Sequence, residues 1–495
     1  MPIMDEPTSL DPQIADSNSE KLVAANCYEG LVRIMADGTI GKGVATDWNI
    51  SDDGLTYTFK LRNNSHWAMF SGHKAVLGEN YEDTFDITVK AEDFKFGIER
   101  TISEQTGSAD APLFSAVKSI STPDDFTIVF NLSYADDNFL YALTNPGAMP
   151  CDEEFFNLTN GKYGLDAKYL LCNGPFHVSK WTEKTSVKLA KNNEYNGESS
   201  VSPSSVTFYI NNDDSEVADK MNSVTYDVAF LSSSQFSSIE NKKDLNSVAV
   251  QNVTYSFIFN QNDNNYRNKN MRLAFCRSCD TSSLFDSQSD ISKADGIVPP
   301  SCKIGGEDYR NGNAAELLSY DETLAKKNFN DALLELGSSS VETTILCTEQ
   351  YESFVKQMVQ KLQKTLGVKF VSTVKVVSES DLEAAVNDGN YSVAFYPFKA
   401  KSSFAGEIIE GFDQNNIFGY ESDVLSQKIR NIKNNSGSLE GERSAVADAE
   451  NYLVSEAVIM PVFYENSYFV TSKKTSGIYF YSSADNVFFI NSKKS

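Results

Sequence analysis

The chain has 495 residues, of which 41% are hydrophobic and 12% aromatic, a composition that excludes wholesale disorder. At roughly 150 residues per domain, this length predicts about three domain-sized bodies. The 68 acidic and 43 basic residues give a net charge of −25, which repels nucleic acid and anionic membrane surfaces, so neither is expected as a partner. No bilayer-spanning apolar run and no signal peptide are visible, which is typical of a cytoplasmic protein or of one whose export signal was removed.

The first half of the chain predicts a small α+β body. Apolar and polar residues alternate over 55–61 and again over 126–132, the period of a half-buried strand. Residues 90–102 between them predict a helix, and residues 66–85 predict an inserted loop. Together these elements predict an α+β body over residues 49–166.

Strands and helices alternate in the second half. Residues 341–347 and 368–377 are strand-like, and apolar residues recur at helical spacing over 354–366 before Gly367. This order predicts a βαβ unit and a mostly parallel sheet covered by helices, with ligand crevices at the carboxyl ends of its strands.

Two further helices and a strand surround this unit. Asp321 is placed to cap a helix over 324–336 that Gly337 ends. Residues 382–386 predict a short helix, and residues 391–395 predict the strand that follows it.

Residues that could carry catalysis or bind metal are few. The cysteines are Cys27, Cys151, Cys172, Cys276, Cys279, Cys302 and Cys347. Their odd number leaves at least one unpaired within a monomer, and the pairing of the others stays open. Cys276 and Cys279 have CxxC spacing without a second pair or nearby histidines, so structural thiols are expected, with a redox or metal role as the alternative. Three histidines and the absence of nucleotide-binding, zinc-protease and serine-hydrolase motifs predict a binding protein, not an enzyme, with no cofactor and no metal.

Several short motifs follow one another from about residue 9 to 475. They are SLDP at 9–12, YEGL at 28–31, DGLTYTFKLR at 53–62, VKAEDF at 89–94 with ER at 99–100, NGPF at 173–176 and MPV at 460–462. The ordered set resembles the extracytoplasmic solute-binding proteins of ABC importers, family 5, whose members carry oligopeptides, dipeptides and nickel. Their glycines and aromatic residues suit turns and cores, which indicates scaffold positions.

The resemblance implies an α/β fold of the two-lobed periplasmic-binding-protein-like type II (class C), with an additional inserted α+β domain. Lobe one would comprise residues 1–48, 167–258 and 468–495, the inserted domain residues 49–166, and lobe two residues 259–467. The hinge on which the lobes close would lie at Phe259, Asn260, Asn466 and Ser467.

In peptide-carrying members the ligand lies extended between two stretches of backbone. By resemblance these stretches contain Asp16, Ser17 and Asn18 in lobe one and Phe395, Tyr396, Phe398 and Lys399 in lobe two. Pro397 removes one backbone donor from the second stretch. The rings of Phe395, Tyr396, Phe398 and Phe404 are expected either to stack on the ligand or to pack in the core.

The second stretch departs from the pattern of oligopeptide binders. They carry an aspartate just after this strand to pair with the peptide α-amine, whereas this chain has Lys399 and Lys401. A buried ammonium facing a lysine would cost several kcal/mol. Another carboxylate, such as that of Asp16, is therefore needed for a peptide amine, and the two lysines are either solvated or bind an anionic ligand group.

These observations predict a monomeric substrate-binding component that delivers peptides or modified peptides to the permease subunits of an ABC importer. The resemblance implies a lipid anchor on the outer face of the cell membrane. The alternatives are a binder of an oligosaccharide or small organic anion, a ligand sensor or adhesin on the same fold, and an enzyme that uses Cys172 near His177. The few histidines give little support to nickel binding.

Overall fold

The computed structural model describes residues 1–35, 39–136, 138–197, 200–281, 284–285, 290–399, 404–413, 416–435, 438–481 and 486–495. The chain forms two compact units. The first contains residues 1–249 and 468–495, and the second contains residues 250–467. Residues 49–166 belong to the first unit, and their separation as an inserted domain stays a prediction.

The first unit contains mixed helices and strands. In chain order its elements are β1 (Pro2–Ile3), α1 (Asn18–Cys27), β2 (Val32–Ile34), β3 (Ile40–Lys42), β4 (Ala45–Ile50), β5 (Thr56–Leu61), α2 (Lys74–Leu77), α3 (Tyr81–Thr84), α4 (Ala91–Ile102), β6 (Val117–Asp124), β7 (Thr127–Leu132), α5 (Phe139–Ala142), α6 (Glu153–Leu158), β8 (Phe176–Thr182), β9 (Ser186–Lys191), β10 (Ser205–Ile210), α7 (Asp214–Asn222), β11 (Val228–Ser232) and α8 (Ser233–Ser238). Strand β12 (Leu245–Phe259) then carries the chain into the second unit.

The second unit alternates strands with longer helices. Its elements are α9 (Asn264–Arg267), α10 (Lys269–Ser278), β13 (Ile291–Lys293), β14 (Lys303–Ile304), β15 (Glu307–Asp308), α11 (Glu322–Leu336), β16 (Val341–Thr348), α12 (Glu352–Leu366), β17 (Phe370–Val377), α13 (Glu379–Asn387), β18 (Val393–Lys399), α14 (Ala405–Glu410), α15 (Asp423–Asn434) and α16 (Leu439–Ser455). Strand β19 (Ile459–Ser472) returns the chain to the first unit, where β20 (Thr475–Ser476), β21 (Tyr479–Tyr481), β22 (Asn486–Phe488) and β23 (Lys493–Lys494) follow.

Two four-stranded sheets organise the first unit. One has the order β1-β10-β9-β8, and the other has the antiparallel order β4-β5-β7-β6. The predicted strands at 55–61 and 126–132 are β5 and β7, and the predicted helix at 90–102 is α4. The segment 66–85, predicted as a loop, contains the one-turn helices α2 and α3.

The SLDP and ER motifs meet inside the first unit. Arg100, on α4, donates to both carboxylate oxygens of Asp11, at 2.6 and 3.2 Å, and its Nη1 also donates to Gln13 Oε1 at 2.6 Å. The guanidinium lies 4.1 Å from the centroid of the Phe156 ring. These contacts tie the N-terminal segment to α4, which is the scaffold role expected of the motifs.

The second unit is built on one mixed sheet. The order β19-β12-β18-β16-β17 places β16 parallel to both β17 and β18, while β12 runs antiparallel to β18. The predicted βαβ unit is β16-α12-β17 and is confirmed. The sheet is mixed, because β12 runs antiparallel to β18 and lies between β18 and β19.

Caps and apolar faces determine where the helices of the second unit begin and end. The Asp321 carboxylate accepts from Leu324 N at 2.9 Å, and Gly337 ends α11 in the left-handed conformation. One buried cluster includes Phe257, Phe275 and Met358, and a second, separate cluster includes Ile258, Leu346 and Ile429. Because neighbouring residues of β12 belong to different clusters, both faces of the sheet are covered.

Candidate functional site

The predicted ligand segment of the first unit lies at the start of α1. Ser17 Oγ accepts from Glu20 N at 3.2 Å, and the Glu20 carboxylate accepts from the amides of Asp16 and Ser17 and from Thr8. Burial opposes ionisation of Glu20, but these hydrogen bonds outweigh it and lower its pKa. The capping box fixes the backbone, while the side chains of Asp16 and Asn18 remain exposed.

Strand β18 carries the predicted segment of the second unit, and its two edges differ. Residues 393–399 all pair with β12, but only Val393 and Ala394 pair with β16. In an antiparallel pair, the backbone groups of successive residues alternately face the partner strand and face away from it. Asn260 N donates to the Ser392 carbonyl at 3.0 Å, so Ser392 and every second residue after it face β12. The backbone groups of Phe395, Pro397 and Lys399 therefore face away from β12.

The backbone of Pro397 offers only an acceptor on this second edge. Proline has no N–H. Because residue 397 faces away from β12, the missing N–H removes no hydrogen bond between β18 and β12. In the described part of the chain β16 does not extend alongside Pro397, so its carbonyl faces an edge without a strand partner.

The aromatic side chains of this segment have different surroundings. Phe395 is 1% exposed and packs in the core, which is one of the two roles left open by the sequence. Its ring centroid lies 4.9–6.0 Å from those of Tyr255, Phe257, Tyr351, Phe354 and Phe463. On the other face Phe398 is partly buried and lies 5.7 Å from Tyr396 and from Phe412. Burial raises the pKa of Tyr396.

The remaining predicted residues lie near the end of β18. Lys399 is exposed, and Phe404 is the partly buried residue before α14. Lys401 lies outside the described residues.

A cluster that the sequence analysis missed lies on the Phe395 face of the sheet. We define the Glu465 cluster as Tyr255, Gln350, Tyr351, Phe463 and Glu465. The Tyr351 hydroxyl donates to Glu465 Oε1, Gln350 Nε2 lies 3.4 Å from the same oxygen, and the rings of Tyr255 and Tyr351 are 4.4 Å apart. Burial raises the pKa of the Glu465 carboxyl. A carboxylate directly after the apolar run 459–464 of β19 was the available signal.

A scan against protein-family models assigns most of the chain. The model for bacterial extracellular solute-binding proteins, family 5, middle region, matches residues 39–418. The chain belongs to this family. The predicted family is thereby confirmed, and membership identifies a solute-binding transport component that acts outside the cytoplasm and not an enzyme.

Known proteins resemble this solute-binding protein along nearly its whole length. The dipeptide-binding protein DppE of Bacillus subtilis is 24% identical over 496 residues, covering 96% of this chain and 88% of DppE. The solved structure of Listeria monocytogenes OppA bound to peptide has a TM-score of 0.77 at 21% identity, covering 100% of this chain and 98% of OppA. The structure of AgaA from A. tumefaciens R10 in complex with agropinic acid has a TM-score of 0.75 at 17% identity, covering 99% and 97%. These similarities confirm the predicted fold class.

Of the hinge residues predicted for the solute-binding protein, Asn466 and Ser467 lie at a crossing between the two units, whereas Phe259 and Asn260 lie inside the second unit. One crossing follows Ser467 directly, whereas the other lies within β12, between residues 249 and 250. Phe259 is inside the second unit, with its ring 5.1 Å from that of Phe275. Hinge motion itself stays a prediction.

The environment of the cysteines bears on the redox or metal role left open by the sequence. All seven cysteines are buried free thiols, and burial raises the pKa of Cys276 and of Cys279 to about 12. Among the described residues, no group of three or more histidine, cysteine or acidic side chains is placed to hold a metal ion. Within the same residues, none of the helices is long and apolar enough to cross a membrane.

Proposed function

We propose that this protein captures peptides outside the cytoplasm and delivers them to the permease of an ABC importer. The observation that carries the proposal is the edge of β18 beyond Ala394, which faces away from β12 and presents the Pro397 carbonyl. An extended peptide can add to such an edge through main-chain hydrogen bonds that do not depend on its side chains. The B. subtilis relative named as a dipeptide-binding protein supports the same ligand class.

The two predicted segments have distinct roles in this proposal. The β18 backbone between Phe395 and Lys399 pairs with the ligand main chain, and the partly buried rings of Tyr396 and Phe398 contact its side chains. The start of α1 offers the exposed Asp16 and Asn18. Closure about the predicted hinge, attachment through a lipid anchor and a monomeric state remain parts of the proposal that require their own tests.

Native mass spectrometry of the purified protein, followed by denaturation of the same sample, tests the ligand class. A ladder of released masses that fragment as peptides is expected. A single non-peptide mass would refute peptide capture and favour the second candidate, a small organic acid, which the AgaA complex shows to be compatible with this fold.

Added peptides test the proposed binding edge separately. A tetrapeptide with free amide N–H groups is expected to bind, whereas the same tetrapeptide N-methylated at its internal amides loses the donor that reaches the Pro397 carbonyl. The expected loss is about tenfold, the equivalent of one hydrogen bond of about 1.4 kcal/mol. Equal binding of both forms would argue against pairing with β18.

A further inference from the structure

Two cysteines of the first unit lie side by side although they are distant in the chain. Cys27 is the last residue of α1, and Cys172 lies shortly before β8. Gly174 N donates to the Cys27 carbonyl at 2.9 Å. The Asn173 side chain accepts from Glu29 N at 3.0 Å and donates to the Glu29 carbonyl at 2.8 Å. These bonds hold the end of α1 against the segment that leads into β8.

The approach of the two segments is close enough for their thiols to meet. A Cβ atom at Gly174 would lie 2.7 Å from backbone atoms of Cys27 and Tyr28, so only glycine allows the backbones this near to each other. Burial, and then a hydrogen bond to Cys172, raise the pKa of the Cys27 thiol, which shows that the two thiols are in contact. Sulfurs already in contact need only a small further approach to reach the S–S distance of about 2.05 Å.

The cysteines with CxxC spacing have different neighbours. Cys279 Sγ donates to the Met358 carbonyl at 3.8 Å. The side chains of Arg272 and Arg277 act on the Cys276 thiol, and neither Cys276 nor Cys279 has a thiol contact recorded within the described residues. Contact between thiols therefore distinguishes Cys27 and Cys172, which the spacing of the cysteines in the sequence did not reveal.

A bond between these two thiols would close the base of a long excursion of the chain. Residues 28–171 lie between them and include the predicted inserted domain, residues 49–166. Cross-links that enclose many residues restrict the unfolded chain most strongly. Members of this family act outside the cytoplasm, where disulfides form and persist.

We propose that Cys27 and Cys172 form a disulfide bond while the chain folds outside the cytoplasm. The structure holds the reduced pair, with the two side chains 0% and 1% exposed. Buried thiols are protonated and inaccessible, so the bond forms before the packing around α1 is complete. The inference rests on the location outside the cytoplasm and not on the identity of the ligand.

An external disulfide, R–S–S–R, is the oxidant in this reaction. It is either a small molecule such as oxidised glutathione or the disulfide of a thiol oxidase. The thiolate of one cysteine attacks it and releases the first R–SH, and the second cysteine then displaces the other R–SH from the mixed disulfide. The two cysteines lose two protons and two electrons, and the oxidant leaves as two thiols.

Alkylation of protein exported to the periplasm of an expression host tests the bond. The protein is denatured in urea without reductant, treated with iodoacetamide and weighed intact by mass spectrometry. Five alkyl groups are expected, whereas the same protein reduced beforehand is expected to carry all seven. Peptide mapping is expected to find Cys27 linked to Cys172. Seven alkyl groups without prior reduction, or a link between other cysteines, would overturn the inference.

Two variants separate this bond from a general effect of removing a buried thiol. Cys27→Ala is expected to leave all six remaining thiols open to alkylation. Cys347→Ala, the matched control, also removes a buried thiol and is expected to keep the link between Cys27 and Cys172.

Thermal unfolding of the wild-type protein gives a second measurement that does not depend on the folding of a variant. The oxidised form is expected to have a Tm about 5–10 °C above that of the reduced form, because the cross-link restricts only the unfolded chain. Cys347→Ala should keep this difference. Equal Tm values for the two wild-type forms would contradict a bond that joins the ends of residues 28–171 without strain.

Discussion

The ion pair between Asp11 and Arg100 gives a quantitative test of how the first unit is held together. The two side chains are only 4% and 12% exposed, and the guanidinium makes three hydrogen bonds to Asp11 and Gln13. Arg100→Met keeps an unbranched side chain against Phe156 but leaves the Asp11 carboxylate buried without its counter-ion. Breaking one partner of such a pair costs about 3–5 kcal/mol.

A second substitution separates the unpaired charge from the lost packing. Asp11→Asn retains an oxygen that can accept from Gln13 N, as Asp11 Oδ1 does at 3.1 Å. The double variant Asp11→Asn/Arg100→Met therefore has no buried charge at this site. We expect it to recover about 1–3 kcal/mol relative to Arg100→Met alone.

Equilibrium urea unfolding, followed by circular dichroism and tyrosine and tryptophan fluorescence, measures these differences. Lys95→Met is the matched control because Lys95 lies on the same helix and pairs with Glu92 at 2.7 Å, where the side chains are 25% and 53% exposed. Its expected cost is below about 1 kcal/mol. The reasoning is refuted if Arg100→Met costs no more than Lys95→Met, or if the double variant is no more stable than Arg100→Met.

Three further measurements test other features of the described structure. Burial lowers the pKa of His73 from 6.5 to about 4. Between these pH values the unfolded chain takes up a proton that the folded chain excludes. This group should therefore lower the free energy of unfolding by about 3 kcal/mol between pH 6.5 and 4, as measured by urea titrations. His73→Gln should remove this component. Gly97→Ala places a methyl group against the Met149 carbonyl and should cost about 1–3 kcal/mol in the same assay. The seven buried thiols should all resist Ellman's reagent in the native state and react in urea.

Each of these expectations has a clear contrary result. An unchanged pH dependence in His73→Gln would assign the acid sensitivity to other groups. A Gly97→Ala variant as stable as the wild-type protein would mean that α4 shifts without cost away from Met149. Rapid labelling of any thiol in native conditions would contradict its burial.

Local sequence patterns determined much of the secondary structure. The Asp321 cap and the left-handed Gly337 bound α11 as expected, because capping depends on groups within a few residues of the helix end. The alternation of apolar and polar residues predicted β5, and the order of strand-like and helical segments predicted β16, α12 and β17. The ordered motifs identified the family, since they record positions where the scaffold needs a turn, a ring or a buried pair.

The tertiary structure decided what each face and edge contacts. Alternation along β18 could not tell whether the Phe395 ring meets a ligand or the core, and only the strands beside it place this ring among five others. The antiparallel entry of β12 into the sheet likewise depends on long-range pairing that leaves no local signature.

The Glu465 cluster also depends on the tertiary structure and not on local sequence. Its members come from β12, the turn before α12 and β19, and Tyr351 and Glu465 are 114 residues apart in the chain. The sequence by itself determined the elements, the family and the departure at Lys399. Only the sheet order brought a carboxylate and three aromatic rings together beside β18, because contacts between distant segments are set by packing and not by local propensity.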